Sequence, residues 1–109
     1  MQKPNTDAAI ATVHADFCRV LSSPTRIMIM WLLGDTEKTV GELVSALDLS
    51  IANVSQHLRV MKDKCAVTSR RDGQKVYYRI ANEKFLKGCM TIREGILEQM
   101  QQGLRNVSG

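Results

Sequence analysis

Residues 39–64, TVGELVSALDLSIANVSQHLRVMKDK, decide the fold. From Thr39 to Leu47 the apolar residues Val40, Leu43, Val44 and Leu47 recur at helical spacing and form one stripe. Thr39 followed three residues later by Glu42 is an S/T-x-x-E capping box, which marks the helix start. Asp48-Leu49-Ser50 breaks the period, and Ser50 is a good N-cap for a second helix running from Ile51 to about Lys64. Its buried stripe is expected to be Ile51, Val54, Leu58 and Met61, with Val60 at the margin. The opposite face carries Asn53, Ser55, Gln56, His57, Arg59 and Lys62. Amide, hydroxyl, imidazole and cationic groups are the donors and acceptors that match base edges and phosphates. Apolar behind and hydrogen-bonding in front, this helix has what a major-groove reader requires, although an ordinary solvated face shares the pattern.

Downstream lie two short alternating runs, Ala66 to Arg70 and Lys75 to Ile80, flanking Arg71-Asp72-Gly73-Gln74. Aspartate-glycine between such runs predicts a β-hairpin. Arg59, Lys62, Lys64, Arg70, Arg71 and Lys75 stand against Asp63 and Asp72 alone across residues 59–75. Positive charge therefore gathers on the second helix and the hairpin. Helix, turn, helix and basic hairpin, in that order, predict a winged helix-turn-helix. The second helix then enters a major groove, and the hairpin tip (Arg70, Arg71, Gln74, Lys75) lies beside the backbone or reaches a minor groove.

Upstream, Asp7 to Leu21 reads as a helix with Ile10, Val13, Phe17, Val20 and Leu21 on one face and Cys18 beside them. Residues 1–6 look frayed. Ser23 caps and Pro24 begins a second helix, Pro24 to Leu33, which is apolar almost all round and is expected at the buried centre, closed by Gly34. The last element, Asn82 to about Gln102, is a long helix on which Phe85, Cys89, Ile92, Ile96 and Met100 recur, widened by Leu86, Met90 and Leu97. So broad an apolar face in so small a chain is expected to pair with a second copy, the alternative being that it folds back on the helix of Trp31.

The whole is read as one domain of 109 residues, mainly α, with five helices and a two-stranded wing. At 44% hydrophobic and 24% charged residues it has a globular composition, and the net charge of +4 suits a nucleic-acid partner without requiring one. No apolar run approaches the ~20 residues needed to span a membrane, and the N-terminal stretch lacks the layout of a signal peptide, so a cytoplasmic protein is expected. Cys18, Cys65 and Cys89 are scattered, with no C-x-x-C pair to suggest a zinc ribbon. No nucleophile stands near a base, and there is no Gly-rich loop or acid pair, which sets a small Cys/His hydrolase aside. A winged helix reused to bind protein is the other class; flat salt dependence would distinguish it from a DNA binder.

The stretches 21–33 (LSSPTRIMIMWLL), 39–64 and 70–80 (RRDGQKVYYRI) resemble the ArsR/SmtB family of winged-helix repressors. The helix core SIANVSQHLRVM joined to a DGxxxxY wing is the specific part of the likeness. The resemblance implies a homodimer joined through the first and fifth helices, bound to double-stranded operator DNA and released by an effector. It implies operator contacts from Asn53, Ser55, Gln56 and His57, with Arg71 and Gln74 in the wing; Ser50, at the start of the same helix, is counted with them as a DNA-contact candidate. The family's two metal sites look absent. Thr39 and Gly41 stand where one needs thiolates, and Asn82, Lys84, Gly95 and Glu98 stand at the positions of the other. No metal and no cofactor is therefore expected. Sulfide-sensing members use a cysteine pair involving the fifth helix, and some arsenic sensors assemble scattered cysteines. Either precedent makes Cys18 and Cys89 the effector candidates, although the sulfide sensors' partner cysteine lies on the second helix, where this chain has Met28, Ile29 and Met30. The plainer account makes Cys89 a small core hydrophobe, Cys65 a turn residue and His14 a surface group.

Overall fold

The computed structural model describes residues 6–108. Its elements are α1 (Thr6–Val20), α2 (Pro24–Leu33), β1 (Lys38–Thr39), α3 (Val40–Leu47), α4 (Ile51–Asp63), β2 (Val67–Asp72), β3 (Lys75–Ile80) and α5 (Glu83–Ser108). The strands form one antiparallel sheet in the order β1-β3-β2. Thr6, expected to be frayed, is the first residue of α1; the rest of that expectation, on residues 1–5, lies outside the described residues. No helix among the described residues is long and apolar enough to cross a membrane.

The chain's punctuation does what the local chemistry dictates. The Thr39 hydroxyl accepts from the Glu42 backbone N–H at 3.2 Å while the Glu42 carboxylate accepts from the Thr39 N–H at 2.9 Å. Two orphan donors at the start of α3 are satisfied reciprocally. Asp48, at φ +56°, ends α3 in the left-handed region, and its N–H donates to the Val44 carbonyl. Ser50 then caps α4 by accepting from the Asn53 N–H at 3.1 Å. At the far end of α4, Cys65 takes φ +63°, with its N–H on the Lys62 carbonyl and the Ala66 N–H on that of Met61. That is the Schellman pattern, with cysteine where glycine is usual.

The core draws on six of the eight elements. Val20 of α1, Ile29, Met30 and Leu33 of α2, Leu43 of α3, Val54, Leu58 and Met61 of α4, Val67 of β2 and Ile80 of β3 are buried together. α2 is central as expected, but its outer residues are not enclosed: Met28 is exposed and Trp31 is half-buried, with the Arg93 guanidinium of α5 lying 4.6 Å from its ring centroid. α5 thus does fold back on the Trp31 helix, over its N-terminal half. Phe85 meets Phe17 of α1 there at 4.5 Å between ring centroids.

Four expectations are corrected. Ile51 is 65% exposed rather than buried, because the first residue of α4 overhangs the end of the core that begins at Val54. The sheet has a third strand, β1, whose Lys38 and Thr39 pair with Tyr78 and Tyr77; two residues are too short to carry a pattern. The hairpin strands run on to the Asp72–Lys75 pair, leaving Gly73-Gln74 as the turn, so the positive φ of +65° falls on the first turn residue. Glycine at that place suits a type II′ connection better than an Asp-Gly turn of type I′. Finally, α5 continues beyond Gln102 to Ser108.

Candidate nucleic-acid interface

α4 is pinned from behind by Val54, Leu58 and Met61, so its remaining faces are fixed in direction. Asn53, Gln56 and Arg59 are exposed, Ser55 is half-buried, and Ala52, Ser55, Gln56 and Arg59 line a shallow open groove along the helix. The exposed Ser50 hydroxyl accepts its capping bond from the Asn53 N–H. Lys62, in the last turn of α4, donates from Nζ to the Ser69 hydroxyl of β2 at 2.7 Å. That bond ties the end of the helix to the root of the wing.

His57 differs from its neighbours. It is half-buried, and its Nδ1 accepts from Arg26 Nε of α2 at 3.2 Å. Burial, and then the Arg26 charge, hold its pKa below the usual imidazole value of 6.5. The sequence places His57 among the outward groups; the structure commits one of its nitrogens to the body of the domain. Arg26 was not among the candidates, since an arginine in the first turn of an apolar helix carries no sequence signal of its partners.

In the wing, Arg70 is also engaged. Its guanidinium forms a two-pronged pair with Glu37, Nε lying 2.9 Å from Oε2 with Nη2 on Oε1, and it sits 4.6 Å from the Tyr77 ring centroid. The hydrogen bond from Arg70 holds the Glu37 carboxyl below the usual carboxylate range. Arg70 is therefore a brace between β2 and the segment before β1. Arg71, Gln74 and Lys75 remain exposed at the hairpin tip, and among the described residues Arg71 has no ion-pair partner. A cation held by a carboxylate is half-neutralised toward phosphate; the tip cations are not.

The effector candidates lie on α1 and α5. Cys18 and Cys89 line one cavity of about 590 Å³ between α1 and α5, whose walls include Val13, Phe17, Phe85 and Ile92. Cys18 is exposed and Cys89 half-buried, and neither is in a disulfide. Burial, with a smaller contribution from Cys18, pushes the Cys89 thiol up from its ordinary value. His14 lines the same cavity, whereas Cys65 is exposed in its turn at the end of α4. Among the described residues no three His, Cys, Asp or Glu side chains converge as a metal site.

A family model described as a helix-turn-helix domain matches residues 21–70. The chain is 34% identical over 102 residues to the uncharacterized HTH-type transcriptional regulator Rv0081 of Mycobacterium tuberculosis, covering 84% of this chain and 90% of that one. Its fold matches the crystal structure of Rv0081 with a TM-score of 0.79 at 29% identity, over 94% of this chain and 99% of the other. It is 40% identical over 73 residues to the M. tuberculosis HTH-type transcriptional repressor SmtB, covering 67% of this chain but only 54% of that repressor's length. The homodimeric winged helix-turn-helix DNA-binding domain of Mb0332 from Mycobacterium bovis, described as a possible ArsR-family regulator, matches with a TM-score of 0.80 at 26% identity, over 90% and 91% of the two chains. The chain belongs to the ArsR/SmtB family of winged-helix transcriptional regulators, a family of DNA-binding proteins and not of enzymes.

Proposed function

We propose that this protein is a transcriptional repressor that binds its operator as a homodimer and releases it when the thiols of Cys18 and Cys89 are oxidised or bridged by reactive sulfur. The observation that carries the DNA half is the pairing of an outward α4 face (Asn53, Ser55, Gln56, Arg59) with a basic wing tip (Arg71, Lys75) that has no ion-pair partner among the described residues. α4 reads base edges from the major groove and the tip lies on backbone phosphate. Two copies joined through α1 and α5 bring two reading helices to half-sites about one DNA turn apart. The uncovered apolar residues of those helices (Ile10, Val13, Ile92, Ile96, Met100, Leu104) favour that pairing.

The thiol half rests on the shared cavity of Cys18 and Cys89. Bridging them removes two electrons and two protons, taken up by the oxidant. With a polysulfide, the exposed Cys18 thiolate attacks a terminal sulfur, the rest of the polysulfide leaves as a shorter polysulfide or hydrosulfide, and the Cys89 thiolate then attacks the Cys18 sulfur of the resulting persulfide, expelling hydrosulfide and leaving the disulfide. Cys89, half-buried in the same cavity, takes the second step.

Fluorescence anisotropy on DNA from upstream of the gene tests both halves. Reduced protein is expected to bind with log affinity falling by about 0.9 per phosphate contact for each log unit of salt. Polysulfide treatment is expected to abolish tight binding in the wild type and spare Cys89→Ser. Salt-independent binding would refute the DNA reading, and equal response of wild type and Cys89→Ser would refute the thiol reading.

A further inference from the structure

Arg26, half-buried in the first turn of α2, divides its guanidinium between two other helices. Nη1 donates to the carbonyl of Val20, the last residue of α1, at 2.9 Å, and Nε donates to His57 Nδ1 on α4 at 3.2 Å. The last carbonyls of a helix have no partner within it and sit at its negative end, so the first bond gives an orphan acceptor a cationic donor. The second bond fixes the imidazole: with Nδ1 accepting, the neutral ring carries its proton on Nε2. His57 lies between the buried Val54 and Met61, on the flank of α4 rather than in the groove lined by Ala52, Ser55, Gln56 and Arg59.

We infer that Arg26 is a positioning residue for operator recognition, holding α4 through His57 at a fixed angle to the end of α1, and that His57 serves the reading helix from behind. The inference rests on the proposed function, since it takes α4 as the reading helix. Val20 follows Cys18 by two residues, so the same bond joins the thiol-bearing turn of α1 to α4. The device contains no residue placed on DNA.

The choice of isostere separates this role from a base or phosphate contact. Asparagine at residue 57 offers an acceptor where Nδ1 stands and nothing where Nε2 stands; glutamine does the reverse. Operator and scrambled DNA of equal length would be titrated with wild type, His57→Asn, His57→Gln, Arg26→Gln and the double variant Arg26→Gln/His57→Asn. His57→Asn is expected to keep operator affinity within about 3-fold, while His57→Gln and Arg26→Gln each lose about 10-fold or more, the scale of a hydrogen bond to a charged group. The double variant should be no worse than Arg26→Gln, because one shared contact is lost only once. Binding to scrambled DNA should be equal in all five, since no phosphate contact changes. The opposite order, His57→Gln retaining affinity and His57→Asn losing it, would overturn the inference and put Nε2 on the DNA. A wild type that does not prefer operator to scrambled DNA would instead overturn the DNA reading. If Arg26→Gln fails to fold, the two His57 variants still decide, and the ¹⁵N shifts of the imidazole give the tautomer directly. A proton on Nδ1 in the free wild-type protein would refute the clamp.

Discussion

Ile96→Ala tests the dimer face with a magnitude that the single chain supplies. Ile96 is 54% exposed, in a row with Ile92 and Met100 that nothing in the described chain covers. Replacing isoleucine by alanine deletes three carbons, worth ~2.4 kcal/mol if all were newly buried at ~0.8 kcal/mol each. Only the exposed half of the side chain is transferred on association, which leaves about 1.3 kcal/mol per protomer. A two-fold interface contains the residue twice, so the loss is about 2.5 kcal/mol, or roughly 50- to 100-fold in the dimer dissociation constant. Sedimentation equilibrium at matched concentrations measures it, with far-UV circular dichroism as the control for an intact α5. Alanine is a better helix former than isoleucine, so the helix itself should not suffer. Operator affinity at limiting protein should fall with the dimer. An unchanged dissociation constant with full helicity would refute the placement of this stripe at the interface.

Three further outcomes are expected. Cys65→Gly should stabilise the fold: glycine escapes the ~1–2 kcal/mol cost of a left-handed Cβ and returns ~0.4–1 kcal/mol through the unfolded chain, a net gain of about 0.5–1 kcal/mol. Thermal melts would read this as a rise of a few degrees, with Cys65→Ala unchanged; an equal rise in the alanine variant would credit the thiol instead of the backbone. Arg71→Ala should weaken operator and scrambled DNA alike and flatten the log–log salt slope by about 0.9, whereas Arg70→Ala should loosen the wing by freeing Glu37, and a reversed pattern in salt titrations would exchange their roles. Stability should fall on acidification through the histidine range: His57 binds its proton less readily folded than unfolded, so its contribution is complete above the unfolded value of 6.5 and is lost as pH falls toward its depressed folded value. Arg26 is the charged group acting on it, and melts of His57→Asn should lack that component between pH 7 and 5.

The helices were legible because their termini are written in local chemistry. Thr39 with Glu42, Ser50 with Asn53, and Ser23 before Pro24 are contacts within four residues, and each is found as its spacing demands. β1 was hidden because its pairing with β3 spans some forty residues and only two positions take part. Ile51 departs from its expected burial because periodicity describes a helix without ends: the residue keeps the core-facing phase but lies beyond the core. For the site, the sequence could nominate the polar side chains of α4 and the wing, since residue type and rough phase suffice for that. It could not separate a cation facing solvent from one already held. Arg70 and Arg71 are adjacent and chemically identical, yet Glu37, more than thirty residues upstream, claims only the first. His57 and Gln56 differ in the same way, because Arg26 approaches from α2 on one side of the helix alone.

The two distances at Arg26 also limit how much movement a thiol switch would need. Hydrogen bonds weaken quickly beyond about 3.2 Å, and a separation near 3.6 Å no longer counts as one. The Arg26–His57 bond already stands at 3.2 Å, while the Arg26–Val20 bond is shorter at 2.9 Å. A displacement of the last turn of α1 by about half an ångström, far less than the 1.5 Å rise of one helical residue, would therefore break the longer bond first and carry the guanidinium with Val20. Of the buried core, α1 supplies Val20 alone among the described residues, so most of the packing beneath α4 comes from α2, α3, β2 and β3. On this reading the reading helix would lose its lateral restraint while staying folded. Bridged protein should then stay folded and keep its affinity for scrambled DNA while losing discrimination for the operator. A switch that instead pulled the two protomers apart would lower operator and scrambled binding together, so the ratio of the two affinities tells which device the fold contains.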